Sequence, residues 1–388
     1  MKYVYLDQMH WIALAKAAKG RSDGSDFVEV LNAAKDAVAN RRAVFPLSFA
    51  HLFETARAPT PEQRAELAAL MTSLSMGVVL RRSRPLVEFQ LRNAVRRLFD
   101  QPLLQPEPSP FGRGVEDVLG VDLFAQRNVS PERAARLRRI LDTPDAWISL
   151  LSYEDEASRK AGITSGDRIA KEAIDEYERR RATWDGESGD FTRRAYAVLL
   201  RRIFWVELQR YLHEIGRTVD EWGNAGPERL MGFWESIPSL HVEMELHTQM
   251  HRQKSKAWTT HDDRDIAFLA LAIPACGVVV TEKFWVDLSR RRKLHDRYGT
   301  VLLSDLRDLR SHIPAVSEPP GDIPVSSGYA SGSSKEATAS SGEVSSPSGE
   351  AHEPYGEVPG STRDSSESHG DSSDTSGDAA GPSGAISG

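Results

Sequence analysis

The chain has 388 residues, with 49 lysines and arginines against 56 aspartates and glutamates, and its formal net charge is −7 at pH 7. Its single cysteine, Cys276, excludes an intramolecular disulfide and a zinc site built from several thiolates. No apolar stretch reaches the roughly 18 residues that a membrane span needs, and the first residues lack the apolar segment of a signal peptide. We therefore expect a cytoplasmic protein that does not enter a membrane.

Charge and composition separate the last part of the chain from the rest. Residues 315–388 are rich in Ser, Gly, Pro and acidic residues, and they contain twelve acids and two bases. Their net charge is −10, and subtracting this from the total of −7 leaves +3 for residues 1–314. Because such a composition buries too little apolar surface to offset the entropy of ordering, we predict a disordered acidic tail over residues 315–388.

Short apolar segments, taken in chain order, predict the strands. They are residues 2–6 (KYVYL), 43–47 (AVFPL), 77–80 (GVVL), 277–281 (GVVVT) and 300–303 (TVLL). Helical patterns lie between them, and apolar strands that alternate with helices are typical of a parallel sheet covered on both faces. We therefore predict an α/β fold with a central parallel sheet of about five strands.

A long helical segment separates the third predicted strand from the fourth. Its pattern is helical and highly charged, with Pro-rich and Gly-rich joints at residues 102–114 and 185–190. We predict four segments along the chain. Residues 1–82 form the first half of the α/β domain, 83–239 a helical insertion, 240–314 the second half, and 315–388 the tail.

Acidic residues stand at or near the ends of predicted strands. Asp7 closes the first strand, Glu54 lies in the helix after the second, and Glu282 follows the fourth. Asp262 and Asp265 fall in the predicted first turn of the helix before the fourth strand, with Asp262 at the N-cap position. Each acid alone could be a helix cap or a solvent-exposed residue of a helix. Because open α/β sheets bind ligands at the carboxyl ends of their strands, we predict that these acids converge on one site.

The order of these segments resembles that of the PIN-like nuclease family. "YLD" ends the first strand, a glutamate lies in the helix after the second strand, "DRDIAFLALA" precedes a strand and "VVVTEKFW" ends it. The resemblance covers roughly residues 1–80 and 240–310, but the insertion is far longer than in compact members, and Glu282 stands where aspartate is commoner. The resemblance implies a three-layer α/β/α fold whose acids bind Mg2+ or Mn2+ and hydrolyse phosphodiester bonds, usually in RNA.

The resemblance also implies individual roles for the acids. The four catalytic residues would be Asp7, Glu54, Asp265 and Glu282. Of these, Asp7, Asp265 and Glu282 would bind the metal, and Asp262 or Asp263 would be auxiliary. Independently of the family, crowded carboxylates repel one another unless a divalent cation neutralises them, and oxygen ligands favour Mg2+ or Mn2+. We predict a metal-dependent ribonuclease, of a toxin-like or RNA-processing kind.

Basic residues lie close in sequence to the acidic segments. We predict that six of them contact the phosphates of single-stranded or structured RNA, namely Arg252, Lys254, Lys256, Lys283, Arg290 and Arg291. A basic run such as "SRRRK" is more often a solvated helix face. The helical insertion is a candidate surface for an antitoxin or another protein partner.

Two other interpretations start from the same residues. A noncatalytic PIN-like module that binds nucleic acid or protein would need no complete acid set, and the near-complete set argues against it. His261 and Asp262, with His247 and His251 upstream, are faintly similar to the His-Asp pair of helical metal-dependent phosphohydrolases. That class has an all-helical frame, whereas strands flank the motif here.

Overall fold

The structure is a computed structural model that describes residues 1–81, 83–125, 129–153 and 155–314, with only the backbone of Ser83. The predicted acidic tail, residues 315–388, lies outside the described residues. In the part of the chain that is described, no helix is long and apolar enough to cross a membrane.

A parallel sheet lies at the centre of the fold, as the sequence predicted. The strands are β1 (Lys2–Leu6), β2 (Ala43–Val44), β3 (Val78–Leu80), β4 (Phe111–Arg113), β5 (Val278–Val280) and β6 (Val301–Leu303). Four of them form the parallel sheet in the order β2-β1-β5-β6. Leu6 pairs with Val280 where β1 and β5 end, so the carboxyl ends of these two strands meet at one edge of the sheet.

The prediction is wrong for the third strand. β3 pairs antiparallel with β4, a strand that was not predicted, in a separate two-stranded sheet. Among the described residues, one isolated parallel bridge from Leu47 to Val79 connects β3 to the chain beyond β2. Leu47 bonds with β3 through both its N–H, which donates to the carbonyl of Val78, and its carbonyl, which accepts from Leu80, whereas the N–H of Phe45 bonds to the carbonyl of Leu74.

Helices make up most of the described chain. The first group is α1 (Gln8–Ala18), α2 (Val28–Ala39), α3 (Phe49–Thr55), α4 (Pro61–Ser75), α5 (Ser83–Leu98), α6 (Gly114–Leu119), α7 (Pro131–Leu141), α8 (Pro144–Ser152) and α9 (Glu156–Thr183). The second is α10 (Gly189–Ile203), α11 (Trp205–Glu214), α12 (Val219–Gly223), α13 (Pro227–Glu235), α14 (Pro238–His251), α15 (Thr260–Ala275), α16 (Lys283–Arg291) and α17 (Leu294–Tyr298). Two 3-10 helices span Ser22–Phe27 and Leu306–His312.

Both faces of the parallel sheet are buried under helices. Val4 and Leu6 of β1 pack in one apolar cluster with Trp11 of α1. Tyr5, between them in sequence, packs in a second cluster with Ile266 of α15. Because successive strand side chains point to opposite faces and both faces are covered, the strands are continuously apolar rather than alternating.

The predicted insertion has a core of its own and also packs against the sheet. Leu91, Leu200 and Trp234 belong to a third apolar cluster, built from α5 and from α10 to α14. The ring of Phe111 in β4 stacks on Tyr3 of β1, with ring centroids 3.7 Å apart. The described residues all belong to one compact unit, so the insertion and the sheet share an interface.

Candidate functional site

The four predicted catalytic acids come from four separate elements near one edge of the sheet. Asp7 follows β1 and is the N-cap of α1, while Glu282 follows β5 and is the N-cap residue of α16. Glu54 lies in α3 and Asp265 in α15. The backbone N–H of Asp7 donates to the carbonyl of Val280 at 2.9 Å, so the β1–β5 pairing continues up to the acid.

A small cavity lies where three of these acids meet. Asp7, Glu54, Asp265 and Thr281 supply its polar lining, and the remaining walls are Tyr5, Ala50, Phe268 and Leu269. The space open to a water-sized sphere is about 10 Å3, which is close to the minimum for one water molecule. Glu282 is not part of the lining and is solvent-exposed. It therefore lies outside the cavity wall rather than in it.

Local hydrogen bonds hold two of the carboxylates in place. Asp7 accepts at Oδ1 from the N–H of Gln8 at 2.7 Å and at Oδ2 from the hydroxyl of Thr281 at 3.0 Å. Asp265 accepts at Oδ2 from Trp285 Nε1–H at 2.9 Å. The Asp265 carboxylate thus keeps its other oxygen available, and the Asp7 carboxylate keeps further lone pairs.

The helix that carries Glu54 is fixed to the end of β1 by His51. The backbone N–H of Ser48 donates to His51 Nδ1 at 2.9 Å, which assigns the proton to Nε2, and Nε2 donates to the carbonyl of Leu6 at 2.8 Å. Burial lowers the pKa of His51 to about 4. This histidine is therefore a neutral positioning residue, and both of its nitrogens are already used.

The pKa values of all four acids are raised, with burial as the largest cause in each. Burial, and then the negative charge of Asp7, raises the pKa of Asp265 to about 8 and that of Glu54 to about 7. Partial shielding of its carboxyl group from solvent, and then the charge of Asp7, raises the pKa of Glu282, although the residue as a whole is exposed. Burial also raises the pKa of Asp7, although its hydrogen bonds to Gln8 and Thr281 oppose this. The negative charge of Asp7 thus opposes the ionisation of the other three acids.

This group of side chains has the chemistry of a site for a hard divalent cation. Asp7, Glu54 and Asp265 offer carboxylate oxygens and Thr281 offers a hydroxyl oxygen, all on one cavity. Within the described ranges, no three His, Cys, Asp or Glu side chains already stand around a common ion position. Binding an ion would therefore require rotation of at least one carboxylate about its side-chain bonds.

The two auxiliary acids point elsewhere. The N-cap of α15 is Thr259 rather than Asp262, and Asp262 forms a capping box with it and an ion pair with Lys256. Asp263 accepts a hydrogen bond from Tyr177 of α9 at 2.6 Å. Asp265 lies in the second turn, not the first, because the helix starts at Thr260.

The six predicted RNA-binding residues are spread over three segments. Lys254 pairs with Asp185, Lys283 pairs with Asp287 at 2.9 Å, and Arg290 donates to the carbonyl of Leu302 at 2.7 Å. These are structural uses that leave part of each charge exposed. The side chains of Arg252 and Arg291 are solvent-exposed as well.

Of the six predicted RNA-binding residues, Lys256 acts electrostatically on Glu282. Its charge lowers the pKa of Glu282, although burial keeps that pKa raised overall. Its ammonium lies 4.3 Å from the ring centroid of Phe284 and 5.4 Å from that of Trp285. Trp285 is fully buried, so its ring packs in the core and is not available to stack on a base.

Sequence reasoning missed several residues of the site. Thr281 and Trp285 hold the carboxylates of Asp7 and Asp265, and His261 lies close enough to lower the pKa of Asp7. A usable signal was present for Thr281, because it directly follows a buried strand. No sequence signal connects Trp285 with an acid twenty positions earlier.

Among the described residues, the histidines of the alternative phosphohydrolase motif do not form a metal site with Asp262. His247 is buried between the rings of Tyr177 and Tyr196, and His251 Nε2 bonds to the hydroxyl of Tyr196 at 3.2 Å. Asp262 is committed to its capping box.

No protein-family model, curated protein or solved structure matches this chain.

Proposed function

We propose that the protein is a metal-dependent, PIN-like nuclease that hydrolyses phosphodiester bonds, with RNA as its substrate. One observation carries the proposal: Asp7, Glu54 and Asp265 line one cavity at the carboxyl edge of a parallel sheet, and their pKa values are all raised. A divalent cation is the ligand that relieves this repulsion. Strongly shifted pKa values caused by burial and like charge also cluster at functional sites.

The residues would divide the work as follows. Asp7 and Asp265 would be direct metal ligands, because hydrogen bonds from Thr281 and Trp285 fix their orientation. Glu54 and Glu282 would complete the ligand set or orient water. When bound, Mg2+ or Mn2+ would supply Lewis-acid activation of the phosphate and a nucleophile derived from water. No Ser, Cys or His nucleophile is needed for this chemistry.

The site's surroundings support a polyanionic substrate. Residues 1–314 carry a net charge of +3, and Lys256 lies beside Glu282. The exposed side chains of Arg252, Lys283 and Arg291 lie in the same segments of sequence as the acids. Lysine and arginine contacts to phosphates position a strand without reading its bases. RNA rather than DNA is the substrate that the family resemblance implies.

Cleavage of labelled oligonucleotides tests the proposal. Purified protein is incubated with end-labelled single-stranded RNA and DNA in Mg2+, Mn2+ or EDTA, as wild type, Asp265→Asn and Asp263→Asn. We expect metal-dependent RNA cleavage by the wild type, and a loss of at least about 10- to 100-fold in Asp265→Asn. Asp263→Asn is the matched control, because its amide can still accept the bond from Tyr177. Equal activity in wild type and Asp265→Asn would refute the metal-ligand role.

A noncatalytic PIN-like interaction module is the second candidate. Two observations favour it. The cavity is small, and among the described side chains no three acids, histidines or cysteines already surround a possible metal position. It predicts nucleic-acid or protein binding without cleavage, and no stabilisation by Mn2+. Thermal melting with and without Mn2+ therefore separates the two candidates.

A further inference from the structure

Helix α9 of the insertion crosses both helices that carry acids of the site. At its start, Arg159 donates from Nη1 to the carbonyl of Ala56, just after α3, at 2.6 Å. Further along, Tyr177 bonds to Asp263 of α15 at 2.6 Å. Gly166 lies against Phe53 of α3, where an added Cβ would come within 2.9 Å of the ring. α9 is therefore packed against α3 and α15, the two helices that carry Glu54 and Asp265.

Asp167, in this middle part of α9, binds two arginines with one oxygen. Arg57 and Arg264 both donate from Nη2 to Asp167 Oδ1, the second at 3.2 Å. The Arg264 side chain is 12% exposed and that of Arg57 is 28% exposed, whereas Asp167 is 43% exposed. Two largely buried cations thus share one carboxylate that faces solvent.

The two guanidinium groups also have more donors than Asp167 can satisfy. Arg57 Nε and Arg264 Nη1 are buried and have no hydrogen-bond partner in the described part of the chain. An unsatisfied buried donor costs free energy, and a charged one costs more. A ligand with several anionic oxygens could satisfy these donors, and a phosphate group matches the forked geometry of guanidinium.

Both arginines belong to the acidic site by position. Arg57 follows Glu54 by three residues, and its N–H donates to the Glu54 carbonyl at 3.0 Å. Arg264 directly precedes Asp265. Burial, and then Asp7, raises the pKa of Glu54, and the charges of Arg264 and Arg57 partly oppose this rise. The pair therefore lies within electrostatic reach of the acids.

We propose that Arg57 and Arg264 form a phosphate-binding subsite for the nucleic-acid backbone, and that Asp167 occupies it as an internal competitor in the free protein. The proposal rests on the nuclease function proposed above and names the side chains that would hold the substrate beside the acids. A backbone phosphate would take the place of the Asp167 carboxylate on the two guanidinium groups. Because α9 carries Asp167, the insertion would then control access of the strand to the site.

A purely structural role is the competing explanation. In it, the Arg57–Asp167–Arg264 contacts fasten α9 to the body, and removing any of the three side chains weakens folding without affecting nucleic-acid affinity. The two explanations predict opposite effects of neutralising Asp167. A structural acid would leave binding unchanged or weaker, whereas a competitor for the phosphate site would leave it tighter.

Oligonucleotide binding in EDTA tests the proposal independently of cleavage. Fluorescence anisotropy with labelled single-stranded RNA compares Asp167→Asn with Glu172→Gln, its matched control, since Glu172 is another acid of α9 and is paired with Arg168 at 2.8 Å. Arg57→Gln and Arg264→Gln are compared with Arg168→Gln. We expect about 3- to 10-fold tighter binding for Asp167→Asn and about 3- to 10-fold weaker binding for Arg57→Gln and Arg264→Gln.

The salt dependence of RNA binding adds a measurement that a folding defect would not change. Each lost phosphate contact should reduce the slope of log K against log salt concentration by about 0.7 for a single strand. Circular dichroism melts verify that every variant is folded under the assay conditions. Affinity of Asp167→Asn equal to that of Glu172→Gln would overturn the proposal, and so would unchanged salt slopes in the two arginine variants.

Inorganic phosphate separates a backbone phosphate from a free one. If phosphate stabilises the wild type against melting but not Arg264→Gln, while RNA affinity is the same in both, the subsite takes free phosphate and the proposal is wrong. The nuclease function fails separately, through absent cleavage in Mg2+ or Mn2+. A failure of the phosphate-subsite proposal therefore leaves the test of the nuclease function valid, and the reverse also holds.

Discussion

Replacing Asp265 with asparagine should make the metal-free protein more stable at alkaline pH. Burial, the charge of Asp7 and those of Glu54 and Glu282 raise the pKa of Asp265 from 3.8 to about 8. Between these two values the folded state keeps a proton that the unfolded state has lost. Stability of the metal-free wild type should therefore fall as pH rises from about 4 to about 8, and level off above that.

The size of the effect follows from the same pKa values. A rise of about 4 in pKa corresponds to roughly 5 kcal/mol, since one pKa unit equals about 1.36 kcal/mol. Because Asp265 interacts with Glu54 and Asp7, the apparent pKa values belong to the group rather than to single residues, and the share of Asp265 is smaller. We expect Asp265→Asn to gain at least about 2 kcal/mol at pH 8.5, or about 4 °C or more in melting temperature. Asparagine can still accept the hydrogen bond from Trp285 Nε1.

Thermal melts in EDTA at pH 5.5, 7.0 and 8.5 test this expectation, with Asp287→Asn as control. Asp287 is an acid of α16 that pairs with the exposed Lys283. The wild type and the control should both lose stability towards pH 8.5, and Asp265→Asn should lose less. Added Mn2+ should raise the melting temperature of the wild type and leave that of Asp265→Asn nearly unchanged. Parallel pH profiles for wild type and Asp265→Asn would refute the crowded-acid reasoning.

Three further outcomes are expected. Stabilisation by Mn2+ should be larger at pH 8 than at pH 6, because carboxylates with raised pKa must lose protons to bind metal; equal melting shifts at the two pH values would contradict this. His51→Ala should lower the free energy of unfolding by roughly 2–4 kcal/mol in urea, since it leaves the Ser48 N–H and the Leu6 carbonyl without their partner; a loss below about 0.5 kcal/mol would show that water replaces it. Deleting residues 315–388 should leave the melting transition within about 1 °C, and a larger drop would mean that the tail contributes to the fold.

Much of the site could be predicted because its parts are local in sequence. An apolar run followed by "D" or "TE" shows where a buried strand ends and which polar residues follow it. Parallel strands that are neighbours in a sheet end at the same edge, so Asp7 and the residues after β5 had to come close once the sheet formed. The strand and helix patterns were sufficient for this, and the structure has β1 beside β5.

The direction of each acid on α15 could not be predicted in the same way. Asp262, Asp263 and Asp265 lie within one turn of helix, and successive residues point about 100° apart. Sequence alone does not say which side faces the sheet. Packing decides this: Asp262 bonds back to Thr259, Asp263 turns to α9, and Asp265 faces the cavity.

Contacts between distant parts of the chain depended on tertiary structure entirely. Arg57 and Asp167 are 110 positions apart, and Arg264 and Asp167 are 97 apart, so no local pattern signals their contact. The pairing of β3 with β4 could not be predicted for a similar reason, because β4 lies in the insertion. Hydrophobic periodicity and strand-end chemistry, which act over a few residues, determined the elements and the acid set. The orientation of each side chain, and the placement of α9 beside the acids, depend on which surfaces pack together when the whole chain folds.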